Sequence, residues 1–279
     1  MYTELNSILN NSPDNCKQGE FVLISDRKAD ASFLVHHFLS FYLRAGCKVC
    51  FLGLVQSFSH YSAVSQRLGV SLLQAKEKGQ LVFLEGLKDC LGVVLPDGAK
   101  PESPTLDFFR PQCSDLRGLF EFVLSSLSPV GGAVGEGEIG SGPQSPPVLI
   151  VDDLSVLLSL GVRAGAVLDF AHYCKANICC ELKGNAVMLM RCEEEEGEEE
   201  EGEEESAEML LKGLMHQCTL ALQVQGLPTG YCRDIHGQVD IWWRGQSQQL
   251  QQNQRKVFQY KVQDKGASFF ARGTSSAVL

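Results

Sequence analysis

The sequence predicts an α/β protein, with a largely parallel central sheet flanked by helices and antiparallel strands at its C-terminal end. Three observations carry that prediction. The runs "FVLI" (21–24), "VLIV" (148–151) and "AVMLM" (186–190) are continuously apolar, as strands covered on both faces are. Segments with helical spacing separate them over the first two-thirds of the chain. The last third changes to short β-rich runs parted by turn residues.

Each element has its own warrant. Glu20 to Ser25 reads as a buried strand, and Ser32 to Ala45 as a helix. In that helix Leu34, Phe38 and Phe41 recur at helical spacing, while Val35, Leu39 and Tyr42 widen the stripe. Gly46 stands in a C-cap position. Cys47 to Leu54 is the next strand. A helix over "SHYSAVSQRLG" follows, opened by Ser57 or Ser59 and closed by Gly69. Gln80 to Leu87 is a short strand, 96–112 a loop, and Cys113 to Leu127 a helix. Val148 to Asp153 and Asn185 to Cys192 are buried strands, with helices over "LSVLLSLG" and "AGAVLDFAHYCKA" between them. "SAEMLLKGLMHQ" is a helix. "CTLALQVQGL", "GQVDIWWRG", "VFQYKVQD" and "ASFFARG" read as strands of antiparallel ribbons.

The 279 residues suffice for one domain with a full core, taken as 1–279, with flexible loops at 128–147 and 193–206. The first loop is rich in Gly and Pro. The second contains "EEEEGEEEEGEEE", Glu193 to Glu205, whose eleven glutamates dominate a formal net charge of −10; without them the balance is +1. The acidity therefore belongs to one segment and does not argue against a polyanionic partner. The polar N-terminus has no targeting pattern, and no apolar run is long enough for a membrane span. Eleven cysteines scattered through apolar segments read as reduced thiols of a cytosolic or nuclear protein.

The strand–loop–helix over "SDRKADAS" lies where a phosphate-binding loop would be. Such a loop needs G-x-x-x-x-G-K-[ST], so that backbone N–H groups close around phosphate and a lysine neutralises it. Ser25 stands at the first glycine, Asp30 at the second, Ala31 at the lysine, and only Ser32 keeps its type. Lys28 lies four residues before Ser32 and cannot replace the lysine. The plainer reading is a strand–helix turn with Ser32 or Asp30 as N-cap. "VLIVDD" has the Walker B pattern, with Asp152 at the position that holds magnesium through water. Without the lysine such an ion has no phosphate to bridge. Phosphate-loop position first, apolar strand with terminal Asp second, is the order of a RecA-like domain. No catalytic residue, cofactor or metal is expected.

Other groups read more plainly as structure. Cys47 and Cys50 fall on opposite faces of a strand, and Cys174, Cys179, Cys180 and Cys192 read as core thiols. His36 and His37 lie on a buried helix. "YCRDIHG" (231–237) gathers Cys, Arg, Asp and His but reads as a turn. Of Trp242 and Trp243 one should face inward and one outward, the outer ring being available to a base or a partner. In a RecA-like topology the glutamate run follows the strand whose loop points to a ring's channel.

The stretches "FLVHHFLSFYL", "CKVCF", "QSFSHYS", "GQLVFLEGLK", "VDDLSVLLSLG", "CRDIHGQ", "YKVQDK" and "ASFFA" resemble the family of the sixth Elongator subunit in its animal form. The resemblance runs from Met1 to Leu279 but fails over 128–147 and is uninformative over the glutamate run. It implies a RecA-like accessory subunit without a standard phosphate loop and without catalytic residues. It also implies a hetero-hexameric ring with Elongator subunits four and five that binds tRNA. That ring joins the catalytic Elongator subassembly, whose iron–sulfur subunit modifies the wobble uridine at carbon five. An arginine lent to a neighbour would come from Arg191, Arg233 or Arg244. A weak ATPase, or an adaptor of the RecA-paralogue type in another nucleic-acid complex, is the alternative that the fold alone permits.

Overall fold

The computed structural model describes residues 2–86, 115–128, 146–192, 201–227, 230, 232–244 and 254–271. They form one nine-stranded sheet in the order β3-β2-β4-β5-β1-β6-β7-β8-β9. The strands are β1 (Phe21–Arg27), β2 (Val49–Gly53), β3 (Leu81–Glu85), β4 (Val148–Asp152), β5 (Asn185–Arg191), β6 (Leu220–Gln225), β7 (Gly237–Trp243), β8 (Gln254–Gln263) and β9 (Gly266–Ala271). β3 through β6 in that order are parallel, and β7, β8 and β9 continue the sheet antiparallel.

The apolar strands read as they do because both faces are covered. Val22 and Ile24 of β1 point into one core, Phe21 and Leu23 into the other. The first core is closed by α1 (Thr3–Leu9), α2 (Ser32–Arg44), α3 (Phe58–Arg67) and α4 (Leu72–Glu77). The second is closed by α5 (Arg117–Leu127), α6 (Ser155–Ser159), α7 (Ala164–Cys174) and α8 (Glu201–Gln217). Every residue of α2 from Phe33 to Leu43 is buried. At about 1.5–3 kcal/mol for each large apolar side chain removed from water, this helix anchors its layer. Gly46 and Gly69, at φ +76° and +78°, make the left-handed turns after α2 and α3. Ser57, not Ser59, caps α3, accepting from the His60 N–H at 3.4 Å.

The structure corrects several expectations. α1 forms in the polar N-terminus because Leu5 and Leu9, one turn apart, bury against the sheet. α4 forms behind Ser71, whose side chain accepts from the Gln74 N–H. The stretch "CTLALQVQGL" is not a ribbon strand but the last parallel strand: β6 lies beside β1, Val22 opposite Leu220. It enters the sheet after the α8 crossover, which delivers a parallel strand. α8 itself starts at Glu201, inside the segment read as a loop, since glutamate is a good helix former. α7 runs on as a π-helical turn, Lys175–Glu181, which leaves Cys180 exposed and outside the core. Residues 129–145, 193–200, 87–114 and Tyr231 lie outside the described residues, and with them most of the two expected loops, the 96–112 loop and the start of the Cys113 helix.

Candidate functional site

The carboxyl ends of β1, β5 and β4 lie side by side and carry most of the charge buried in the sheet. This is where open α/β sheets hold their ligands. β1 continues two residues past Ser25, because Asp26 and Arg27 still pair with Val224 and Gln225 of β6. Ser25 is therefore a buried mid-strand residue rather than a loop residue. Only Lys28 to Ala31 remain as loop, with Lys28 at φ +50°.

The start of α2 is occupied by the chain's own carboxylates. Asp26 Oδ2 accepts from the Ala31 N–H at 3.1 Å. Asp30 Oδ1 accepts from the Ser32 N–H at 2.9 Å, and its Oδ2 accepts from the Ser32 hydroxyl at 2.9 Å. A helix start favours negative charge, and here two aspartates supply it. Of the two expected caps, Asp30 accepts from the helix and Ser32 is the first helical residue, with Ala31 between them at the N-cap.

β4 ends in a second acidic corner. Asp152 is buried, and the Tyr61 hydroxyl of α3 donates to its Oδ2. Its Oδ1 has no hydrogen-bond partner among the described residues. Asp153 is also buried and accepts from the Ser155 N–H at 2.8 Å and from the Ser155 hydroxyl. Arg191, at the end of β5, bridges the corners: its Nε lies 3.2 Å from Asp153 and its Nη2 lies 3.6 Å from Asp30. The first contact is an ion pair by distance without hydrogen-bond alignment.

Burial dominates the electrostatics. It pushes Asp26 and Asp152 up to about 6, against the pull of the Ala31 N–H and the Tyr61 hydroxyl respectively and of Arg191. It raises Asp153 as well, against its bonds to Ser155. His36 is held down at about 4 by burial and then by His60. His37 is held down at about 3, chiefly by burial, and its Nδ1 accepts from the Tyr2 N–H at 2.9 Å. Both imidazoles are therefore neutral at pH 7. No group of three His, Cys, Asp or Glu among the described residues is placed to hold a metal ion.

The structure brings Asp30, Ala31, Ser32 and Asp152 to one end of the sheet and keeps other marked residues apart. Cys47 and Cys50 are buried in opposite cores. Asp234 pairs with Lys261 at 2.8 Å, and His236 Nδ1 accepts from the Val262 N–H at 3.2 Å, so this turn braces β8. Neither tryptophan is a free outer ring. Trp243 packs on the first core and Trp242 on the second, with Lys256 and Arg255 over their rings at 5.6 and 4.6 Å. Sequence reading missed Asp26, Tyr61 and the bridging role of Arg191. Asp26, an acidic residue at the end of an apolar strand, was the one legible in sequence.

A parallel sheet with a strand–turn–helix at β1 and α2, the acidic strand β4 separated from β1 by β5, and antiparallel strands beyond β6 defines a RecA-like domain. Here the start of α2 is capped by carboxylates of the chain itself. The chain belongs to the family of Elongation complex protein 6, whose model matches residues 2–264. It is 63% identical over 279 residues to Elongator complex protein 6 of Danio rerio, and 53% identical over 285 residues to that of Homo sapiens, with both chains covered fully in each case. An uncharacterized protein of Pyrococcus horikoshii, solved in complex with an unknown peptide, is 12% identical over 98% of each chain at a TM-score of 0.57, a likeness of fold alone. No helix among the described residues is long and apolar enough to cross a membrane.

Proposed function

We propose that the chain is a non-catalytic subunit that builds a hetero-hexameric ring with Elongator subunits four and five. The ring binds tRNA and supports modification of the wobble uridine at carbon five by the catalytic Elongator subassembly. Family membership supports the assembly. The observation that carries the non-catalytic role is the start of α2, where the N–H groups of Ala31 and Ser32 already donate to Asp26 and Asp30. A nucleotide phosphate there would meet two carboxylates and no lysine at position 31. On this reading Ser25, Asp30, Ala31, Ser32 and Asp152 are remnants of a nucleotide site, and the protein works in cytoplasm and nucleus.

The test is the native mass of the tagged protein purified from its own cells, with its partners identified. Two sister RecA-like subunits in equal number, with retention of tRNA by the complex, are the expected result. A monomer, a complex with other nucleic-acid proteins, or magnesium-dependent ATP hydrolysis lost on Asp152→Ala would overturn the reading.

A further inference from the structure

Two thiols meet at the amino end of the sheet, opposite the acidic corners. Cys16 lies in the segment that leads α1 into β1, and Cys47 in the turn that leads α2 into β2. They are 31 residues apart in sequence, and their side chains are in contact in the fold. Their exposure differs. Cys47 belongs to the first core and is 0% exposed, whereas Cys16 packs against that core and is half-buried. Asn185, at the start of β5, holds the Cys16 segment in place. Its Nδ2 donates to the Cys16 sulfur at 3.8 Å and to the Lys17 carbonyl at 2.8 Å, and its Oδ1 accepts from the Glu20 N–H at 2.9 Å. The Cys16 thiol in turn donates to the Lys17 carbonyl at 3.4 Å.

A thiol reacts as its thiolate, and donors aimed at the sulfur favour that form. The Cys47 thiol holds Cys16 below the usual thiol range, against burial and the Glu20 carboxylate, and the Asn185 amide adds to it. Cys47 itself is raised, first by the same contact and then by burial. Burial is the chief cause that raises Cys50, Cys174, Cys179, Cys192 and Cys218. Cys16 therefore combines what those five do not: partial access to solvent, an amide donor on its sulfur and a second thiol in contact. The two thiols do not belong to a metal site, since no group of three His, Cys, Asp or Glu among the described residues is placed to hold one.

We infer that Cys16 and Cys47 are a site of reversible oxidation by hydrogen peroxide, closing to a disulfide with Cys16 as the attacking thiol and Cys47 as the resolving one. In the first step the Cys16 thiolate attacks one peroxide oxygen. The O–O bond breaks, Cys16 becomes a sulfenic acid, and the other oxygen leaves as hydroxide and takes a proton from solvent. In the second step the Cys47 sulfur attacks the Cys16 sulfur. The S–S bond forms, the S–O bond breaks, and the oxygen leaves as water with the proton of the Cys47 thiol. Each sulfur gives up one electron and the peroxide takes both. The bond would tie the lead-in of β1 to the lead-in of β2.

The test is a hydrogen peroxide titration of the full chain, followed by alkylation under denaturing conditions, digestion and mass spectrometry. The expected product is a linked pair of peptides joining Cys16 to Cys47, which dithiothreitol returns to two thiols. It should form about tenfold faster than the exposed thiol of Cys180 is oxidised. Cys47→Ala should stop at a Cys16 sulfenic acid, which dimedone traps. Cys16→Ser should leave Cys47 reduced at the same dose, and Cys180→Ser should leave the link unchanged. No link at a dose that oxidises Cys180, links of equal yield to other cysteines, or oxidation of Cys47 at the parent rate in Cys16→Ser would each overturn the pairing. Should Cys47→Ala fail to fold, Cys16→Ser, a change at a half-buried position, still decides it.

Discussion

Asp152 shows how burial turns a functional-looking residue into a cost. Its ordinary carboxylate value of 3.8 rises to about 6 because desolvation outweighs the Tyr61 hydroxyl and Arg191. The sign of the consequence follows. Between about pH 4 and 6 the folded chain holds a proton that the unfolded chain has released. The contribution of Asp152 is thus most favourable at low pH and is lost as pH rises through 6. Asp152→Asn keeps an acceptor for Tyr61 and removes the charge. We expect it to stabilise the chain by roughly 1–3 kcal/mol at pH 7.5 and by nothing measurable at pH 4. Urea denaturation at the two pH values measures this. A loss of stability at pH 7.5 would mean that the attraction of Arg191 for the carboxylate outweighs the cost of its burial.

Caps and strand contacts act at the level of elements. Ser57 and Ser59 look alike in sequence, but only Ser57 accepts from a helix N–H at the start of α3. Ser57→Ala should cost about 1 kcal/mol and Ser59→Ala less than about 0.5, read as shifts in the denaturation midpoint. Gly237 opens β7 where a Cβ would lie 2.4 Å from the Gln225 carbonyl oxygen of β6. Backbone, not a flexible side chain, blocks the space. Gly237→Ala should therefore cost about 1–3 kcal/mol and raise hydrogen exchange along β6–β7 before it does so along β1–β5.

Charge acts on the whole molecule. The eleven glutamates of 193–205 carry more than the net charge, and the remainder sums to +1. Replacing all eleven with glutamine should let the chain bind a polyanion resin at low salt, where the parent flows through, and release it as salt rises. The glutamate run would then be the element that keeps the chain off polyanions. Equal retention of both proteins would show that the run has no such role.

Residue type and spacing by themselves determined the strands, most of the helices, α1 and α4 excepted, and the absence from residues 25–32 of the glycines and lysine of a phosphate cradle. Those features are local: a buried strand must be apolar, and a phosphate cradle must have its glycines, wherever the rest of the chain goes. Tertiary structure alone decided the rest. β6 reads as a ribbon strand until the sheet order places it parallel to β1. Tyr61 reads as one more aromatic on α3 until it meets Asp152 across 91 residues of sequence. Arg191 becomes a bridge, and the trait that separates Trp242 from Trp243 becomes which core each covers, only once β4, β5, β1 and β7 share a sheet. Such contacts depend on which distant segments the fold brings together, and spacing along one strand or helix carries no record of that.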